Sequence, residues 1–305
     1  MKKQFKKIIA TVLVATMMMS IALPAFATDK MIKEDNAIFK HSEAELYLNW
    51  ERSTDEELFA QGYSANDIKA IRSFDLEKAL LERAKLSEEE LLIKGYTEDE
   101  ISALKAYNGE TITEESPVLL ALADCTADLI QGSYSNTAQR ACVRLTWQWD
   151  HEPLNAWTDK IVLAWNATRA SDSADCYVDP VESRTFACIN LYSAATGVLM
   201  DTVETDVTTN ELDNNVSIDV EMNQSGWWAK DGYLELYLDA SEVAVRKIEF
   251  CGMYGHIVVD FVSQITFVMN GIKAVFSPAL QVINEFEKAG YIDFTVNGYP
   301  IIETS

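Results

Sequence analysis

The chain has 305 residues, of which 48% are hydrophobic, and it carries 25 basic against 48 acidic side chains, a formal net charge of −23 at pH 7. Its length suits two domains of ordinary size and is sufficient for a sizeable core. An acidic chain of this kind repels nucleic-acid phosphates and anionic lipids, so we expect no nucleic-acid partner.

Residues 1–27 show the pattern of a cleaved secretory signal peptide. Four lysines precede an apolar run over residues 8–23, and Ala25, Phe26 and Ala27 supply a small-x-small cleavage site. A membrane anchor is the alternative, but the run is shorter than the roughly 20 residues that a span requires. We therefore expect cleavage after Ala27, no membrane anchor and a secreted chain. Loss of four lysines and no acids leaves it with 21 basic and 48 acidic residues, a net charge of −27.

Residues 28–123 are predicted to form a helical domain. The segment is rich in Glu, Leu, Ala and Lys at helical spacing. Five times a serine or threonine precedes an acid by three residues, the capping-box arrangement that begins a helix. These pairs are Ser42 with Glu45, Ser53 with Glu56, Ser64 with Asp67, Ser87 with Glu90, and Thr97 with Glu100. The pattern predicts a bundle of short helices.

An internal repeat with an offset of 33 residues lies in this helical part, where residues 54–71 align with residues 87–104. Each copy is predicted to be a helix, a glycine stop and a second helix. Two copies fall short of the three or more that a solenoid needs. The Leu, Gly, aromatic and Ile spacing is similar to the glycine-aromatic turn of small three-helix protein-binding modules of the ubiquitin-associated type. Packing between helices is the favoured explanation of this spacing, so no residue role is transferred from that family.

Residues 124–305 are predicted to form an antiparallel β-sandwich, Ig-like or jelly-roll-like, with a late helix over residues 278–288. Apolar residues alternate with polar ones over residues 143–149 and again over residues 161–165. We expect these two runs to pair through the polar loop between them, with Trp147, Trp149 and Trp165 on the inner face. Further alternating runs cover residues 186–192, 198–203, 216–222, 234–238, 243–250 and 257–269, with turn signals at Asp231-Gly232 and at residues 195–197.

Five cysteines follow the signal segment, and an exported protein can keep disulfides. Cys176 with Cys188 and Cys125 with Cys142 are the pairs that sequence proximity favours, which leaves Cys251 over. A chain that is reduced throughout is the alternative.

The loop that begins with Asp150, His151 and Glu152 and ends at Asp159 is the densest set of ligand-type side chains between two predicted strands. Imidazole and carboxylate groups could hold a divalent cation or act as a base oriented by an acid. A solvated loop is the favoured alternative, because consecutive residues point in different directions. His256, followed by apolar residues, is predicted to be a core or edge histidine with a satisfied hydrogen bond.

Two further candidate sites are weaker. Asp172, Asp175 and Asp179 supply hard oxygen ligands of the kind that bind calcium at sandwich ends, although no known calcium-loop spacing is met. Trp227 and Trp228 cannot both face inward on a regular strand, so one of them could stack on a sugar.

The phosphate-loop, nucleophile-elbow and zinc-helix motifs are missing from the sequence. We therefore expect a secreted, non-enzymatic binding protein whose partner is a carbohydrate, a cell-wall polymer or a protein. Two alternatives remain open. One is a hydrolase that uses Asp150, His151 and Glu152, and the other is a calcium-stabilised carbohydrate-binding module.

Overall fold

The computed structural model describes residues 38–61, 63–135, 140–154, 158–210, 214–240 and 244–256, and the strand segments 267–270, 273–276, 281–282 and 291–293. The signal segment 1–27 lies outside the described residues. Residues 35–305 group into one compact unit by their contacts. Independent folding of residues 28–123 and 124–305 stays a prediction.

Short α-helices occupy the first part of the described chain. They are α1 (Glu43–Arg52), α2 (Asp55–Ala60), α3 (Ala65–Ser73), α4 (Leu76–Ala84), α5 (Glu88–Ile93) and α6 (Glu98–Ala106). Their apolar faces share a core with the 3-10 turn Pro117–Ala121, and Leu58, Leu80, Leu91 and Leu104 are fully buried in it. Within the described residues, no helix is long and apolar enough to cross a membrane.

Three of the five predicted capping boxes are confirmed, at Ser64, Ser87 and Thr97. The prediction at Ser53 is wrong by one residue, because Thr54 is the N-cap of α2 and exchanges hydrogen bonds with Glu57. The prediction at Ser42 is also wrong, since its side chain makes no capping hydrogen bond. Ser42 ends strand β1 (Ile38–Ser42), so its backbone is already committed to a sheet.

The remaining strands form antiparallel sheets. Their bounds are β2 (Asp124–Ser135), β3 (Arg140–Trp149), β4 (Thr158–Arg169), β5 (Asp175–Cys176), β6 (Asp179–Pro180), β7 (Phe186–Ser193), β8 (Leu199–Thr205), β9 (Thr208–Asn210), β10 (Asn215–Glu221), β11 (Asn223–Gln224), β12 (Trp227–Asp239), β13 (Val245–His256), β14 (Phe267–Asn270), β15 (Lys273–Phe276), β16 (Gln281–Val282) and β17 (Tyr291–Asp293).

The first sheet has the order β1-β2-β3-β12-β7-β8, and β6 and β11 also pair with β12. The second has the order β16-β13-β4-β10-β9, with β17 on β13 and β5 on β4. Strands β14 and β15 form a separate hairpin. The predicted antiparallel sandwich is therefore the observed architecture.

The predicted pairing of residues 143–149 with residues 161–165 is wrong. Strand β3 pairs with β2 and β12 in the first sheet, whereas β4 pairs with β10 and β13 in the second. The chain therefore passes from one sheet to the other between Trp149 and Thr158, and we call the described part of this connection, residues 150–154, the crossing segment. The inward faces of β3 and β4 still meet, since Trp147, Trp149 and Trp165 are all buried in one core, as predicted.

The predicted turn at Asp231-Gly232 is wrong as well, because both residues lie inside β12, which is thirteen residues long. A glycine is needed there for another reason. A Cβ at position 232 would lie 2.5 Å from Cζ2 of Trp147 and would overlap the carbonyl oxygen of Cys188. The turn predicted at residues 195–197 is confirmed, and Gly197 has a φ of +65°.

Only Gln281 and Val282 of the predicted late helix fall among the described residues. They form strand β16, which pairs with Gly255 and His256. The helix prediction is therefore wrong at these two residues, because an edge of the second sheet is available to them and main-chain pairing overrides a helical side-chain pattern.

No disulfide joins the five cysteines, all of which the structure describes. Cys125 lies opposite Trp149 in the β2–β3 pair. Cys142 is seven residues along from Trp149, a separation of roughly 24 Å at about 3.4 Å per residue. A disulfide requires Cα atoms within about 7 Å, so these two cysteines cannot be joined. Cys176 and Cys188 lie in different sheets.

Candidate functional site

The start of the crossing segment between the two sheets is buried against the helices instead of being a solvated loop. The side chain of His151 is 1% exposed, and its ring lies 4.0 Å from the ring of Tyr96 between centroids. Its Nε2 lies 3.2 Å from the carbonyl oxygen of Ala121. The other ring nitrogen, Nδ1, lies 3.0 Å from Asp150 Oδ1 and 3.8 Å from Glu100 Oε2.

The turn between α5 and α6 shapes the seat of His151. Gly95, with a φ of +99°, and Tyr96 complete a Schellman motif, in which their N–H groups donate to the carbonyls of Leu92 and Leu91. A Cβ at Gly95 would lie 3.0 Å from the carbonyl oxygen of Asp150 and 3.1 Å from Cα of His151. Glycine is required at this position both for its backbone conformation and for the close approach of the crossing segment.

The corresponding tyrosine in the first copy of the repeat makes the same backbone hydrogen bond but different side-chain contacts. The N–H of Tyr63 donates to Leu58, as that of Tyr96 does to Leu91, each at 3.1 Å. The hydroxyl of Tyr63 accepts a hydrogen bond from Nε1 of Trp50 inside the helical core. Tyr96 instead contacts His151, so only the second turn reaches the candidate site.

Asp150 is held as an ion at the edge of this pocket. Its Oδ1 accepts hydrogen bonds from the N–H groups of Asp124 and His151, at 3.0 and 2.7 Å. Partial burial on its own raises the pKa of Asp150, but a protonated His151 ring and these two N–H groups outweigh it, so the pKa is lowered overall. The carboxylate is 43% exposed and lines a cleft of about 440 Å³, the acidic cleft, together with Glu100, Glu115 and Asp124.

Glu152, the third predicted member of the set, is occupied in a structural ion pair. Its Oε2 lies 2.6 Å from Nζ of Lys94, and its side chain is only 8% exposed. Its backbone N–H donates to the carbonyl of Lys94, and Arg83 donates to the carbonyls of Glu152 and Pro153. These contacts attach the crossing segment to the helices. Glu152 therefore serves as the ion-pair partner of Lys94, whereas Asp150 lines the acidic cleft.

Asp159, at the far end of the predicted loop, lies inside β4 and belongs to a separate buried network. Its Oδ1 lies 2.7 Å from Nδ1 of His256, and its Oδ2 accepts a hydrogen bond from Tyr254. The Tyr254 hydroxyl in turn accepts one from Nε1 of Trp149 at 2.9 Å, across the two sheets. The prediction that His256 is a core histidine with a satisfied hydrogen bond is confirmed.

A buried glutamate, Glu43, connects the helices to the sandwich and was not predicted from the sequence. Its carboxylate accepts hydrogen bonds from the N–H groups of Ala123 and Leu154, at 3.0 and 3.1 Å. Burial raises its pKa, although the nearby His256 and the two backbone donors oppose that effect. The charge pattern of α1 shows nothing that sets Glu43 apart from its exposed neighbour Glu45.

Trp227 and Trp228 lie at the start of β12. Trp228 is 2% exposed and Trp227 is half-buried. Trp228 borders a second cleft of about 600 Å³, the hairpin cleft, with Leu92, Tyr192, Gly197 and Lys230. The ammonium of Lys230 lies 5.9 Å from the Trp228 ring centroid. The Trp228 indole therefore contributes an edge to this cleft and little open face.

The three acids predicted to bind calcium are distributed over separate elements. Asp172 lies in a turn beside Arg169, Asp175 pairs into the second sheet through β5, and Asp179 pairs into the first through β6. Across the described part of the chain, three ligand atoms from His, Cys, Asp or Glu come within 4.8 Å of one another at Glu100, Asp150 and His151 and at no other group. The structure thus brings the predicted residues Asp150 and His151 close to Glu100, which the sequence indicated only as part of a helix capping box.

No family model and no curated protein matches this chain. Among solved structures, one described as "pH-induced modulation of Streptococcus parasanguinis adhesion by Fap1 fimbriae" matches at 10% identity, over 58% of this chain and 84% of that chain, with a TM-score of 0.22. A similarity at that TM-score carries no argument about the fold or the function.

Proposed function

We propose that this is an exported, non-enzymatic binding protein that recognises a protein partner through an apolar surface beside the hairpin cleft. The observation that carries the proposal is a cluster of exposed apolar side chains, which we name the hairpin surface. It consists of Leu92, Val198, Leu199 and Met200, which are 53%, 59%, 47% and 65% exposed. Gly197 directly precedes Val198 in the turn between β7 and β8. It packs against the carbonyl oxygen of Ile93, which holds Leu92 close to this turn. Contiguous exposed apolar groups of this kind mark interaction sites.

The backbone of the same segment favours an extended peptide as the partner. Strand β8 pairs with β7 on one side and, within the described residues, ends the first sheet on the other. An edge strand presents unpaired N–H and C=O groups to any chain that can align with it. Strand addition uses those groups for affinity and alternate side chains for specificity. Leu199 and Met200 lie at the start of this edge.

The charges around the hairpin surface predict which peptides would bind. Glu88 and Glu89 in the first turn of α5 precede Leu92 by four and three residues, which places them on its side of the helix, and Asp201 and Glu204 lie on β8. Opposite charges at the rim of an interface increase the rate of association and select partners. The complementary partner is an extended apolar segment flanked by lysine or arginine.

A carbohydrate partner receives less support from the same surface. Sugar stacking needs an open aromatic face, and Trp228 is almost completely buried. Trp227 is half-buried and remains the better of the two predicted candidates.

The proposal is tested with residues 28–305 and a displayed library of extended peptides, with purified wall polysaccharides and glycans as parallel arms. The triple variant L92S/L199S/M200S should bind the selected peptides at least about tenfold more weakly, as expected for loss of central apolar anchors. Phe59→Ser is the matched control, because Phe59 is 65% exposed but lies on α2. Peptide binding that the triple variant leaves unchanged, or binding to glycans alone, would contradict the proposal.

The finer sequence predictions belong to this proposal. They are export by the signal at residues 1–27, use of one helix-turn-helix unit twice in the 33-residue repeat, and an Ig-like or jelly-roll-like type of sandwich. N-terminal sequencing of the exported protein tests the first of them, and Thr28 is the expected first residue.

A carboxylate-dependent hydrolase is a second candidate function, supported by the convergence of Glu100 and Asp150 at the acidic cleft. Its original residue set fits less well, because His151 is buried and Glu152 is paired with Lys94. Hydrolysis of a glycan or peptide panel that is lost in Asp150→Asn and kept in Glu115→Gln would establish it. Absence of turnover across the panel would remove it.

A further inference from the structure

Glu100, Asp150 and His151 come from two parts of the fold and bring their ligand atoms close together. Glu100 lies in the first turn of α6, whereas Asp150 and His151 follow β3 directly. One ligand atom from each residue falls within a set no wider than 4.8 Å. Glu100 and Asp150 also line the acidic cleft, so this point is accessible from solvent.

The hydrogen bond made by Nε2 of His151 determines whether the other ring nitrogen, Nδ1, carries a proton or a lone pair. A carbonyl oxygen only accepts, so the contact between Nε2 and Ala121 places a proton on Nε2. In the neutral imidazole, Nδ1 then carries a lone pair. This Nδ1 is buried without a hydrogen-bond partner, although it lies 3.0 Å from Asp150 Oδ1 and 3.8 Å from Glu100 Oε2. A lone pair that faces two carboxylates at these distances is repelled unless a positive charge lies between them.

We propose that Glu100, Asp150 and His151 form a binding site for one divalent transition-metal ion, with zinc as its probe. A histidine that donates its second nitrogen to a backbone carbonyl is the usual arrangement of a metal ligand, because that bond fixes the tautomer and the ring orientation. Tetrahedral zinc with bonds of about 2.0–2.1 Å separates its ligand atoms by about 3.3–3.4 Å. The observed 3.0 and 3.8 Å lie on either side of that value.

The ligand set also selects among metals. One nitrogen and carboxylate oxygens suit zinc and manganese, whereas calcium takes six to eight oxygens at longer distances. Three protein ligands leave a coordination position that faces the acidic cleft. Asp124 and Glu115 border that cleft and add negative potential that favours cation entry.

A metal at this site would connect α6 to the sandwich. Glu100 and Asp150 are fifty positions apart in the chain, so a shared ion closes a long loop that includes β2 and β3. Binding to the folded chain alone raises its stability in proportion to ligand concentration. We therefore expect the melting temperature to depend on the metal. Peptide binding at the hairpin surface is expected to stay unchanged.

The test is calorimetric titration of chelator-treated residues 28–305 with Zn²⁺, Mn²⁺ and Ca²⁺, together with thermal melts. We expect one Zn²⁺ per chain and a raised melting temperature, with Ca²⁺ at least about tenfold weaker. Glu100→Gln and Asp150→Asn should each weaken zinc binding by at least about 100-fold, because a direct ligand contributes more than an outer-shell partner, whose loss costs about 10- to 100-fold. Glu115→Gln, which changes an exposed acid of the same cleft, should leave the affinity within about twofold.

Two outcomes would overturn the proposal. The first is zinc binding that is absent or that survives in both Glu100→Gln and Asp150→Asn. The second is a nitrogen NMR spectrum of His151 that shows protons on both ring nitrogens at pH 7 and does not change when zinc is added, because a proton would then supply the positive charge. Folding of each variant is checked by its circular dichroism, so that a lost site is distinguished from a lost fold.

Discussion

Trp147 of β3 lies across Gly232, the residue opposite it on β12, so closely that no side chain fits between them. The indole is 2% exposed and occupies the space in front of the glycine backbone. Position 232 therefore has no room for even a methyl group, and only glycine fits opposite Trp147 at this point of the sheet.

Gly232→Ala should lower the free energy of unfolding by about 3 kcal/mol, the upper end of the usual range for overpacking. The added methyl group would collide with the Trp147 ring and with a backbone carbonyl, neither of which is a flexible chain end. Urea denaturation measures the loss. Gly252→Ala is the control, because its Cβ would meet only leucine side-chain ends at 3.1–3.3 Å. Equal losses in the two variants would contradict this explanation.

These residues also show how far local sequence patterns predict the fold. Alternation identified β3 and β4 and the burial of their tryptophans, because burial follows from the side-chain period alone. It could not identify the strand partners, since β3 pairs with β12, almost a hundred residues later. Asp231-Gly232 has the local preference of a turn, but the packing of Trp147 determines the structure there.

Ser87→Ala should destabilise the protein by about 1 kcal/mol, whereas Ser42→Ala should have almost no effect. Both serines precede an acid by three residues, but only Ser87 exchanges hydrogen bonds with its partner, Glu90. The two bonds from Ser87 hold the pKa of Glu90 below its ordinary value. Chemical denaturation of both variants makes the comparison. A loss at Ser42 as large as that at Ser87 would show that capping is not the cause.

Lys94→Met should destabilise the protein by about 3 kcal/mol, because it leaves the buried Glu152 carboxylate without its counter-ion. The double variant K94M/E152Q should recover part of that loss, since no unpaired charge then remains. A double-mutant cycle in urea gives the coupling energy. Arg140→Met is the control, because its ion pair with Asp239 is more exposed. A coupling energy near zero would mean that Glu152 does not attach the crossing segment to the helices.

The candidate site was only half predictable from the sequence. Asp150 and His151 were identified because ligand-type residues are concentrated there, and the structure buries one of them beside the other. Glu100 was recognised solely as the partner of Thr97 in a capping box, a role that it does have. The proximity of Glu100 to His151 depends on how the α5–α6 turn packs on the crossing segment. No short-range sequence pattern contains that contact.

The buried pair of His256 and Asp159 predicts how stability depends on pH. Burial on its own lowers the pKa of His256, but the charge of Asp159 and the hydrogen bond to it outweigh burial, with a smaller contribution from Glu43. The pKa is therefore raised above its ordinary value of 6.5. The folded chain keeps this proton at a pH where the unfolded chain has lost it.

The stabilisation from His256 is accordingly complete below about pH 6.5 and is lost as the pH rises through the folded pKa. Over that window the free energy of unfolding should fall by up to about 1.4 kcal/mol per pH unit. Urea denaturation of the wild type and His256→Gln between pH 5 and pH 9 measures the two slopes. The variant should lose the part of the fall that His256 contributes and keep the part from Glu43, whose raised pKa acts in the same direction from about pH 4.5 upwards. Asp159→Asn provides an independent check, since only the smaller effect of Glu43 then opposes burial at His256, and the slope above pH 6.5 should become smaller. A slope above pH 6.5 that is the same in all three proteins would assign the effect to another group.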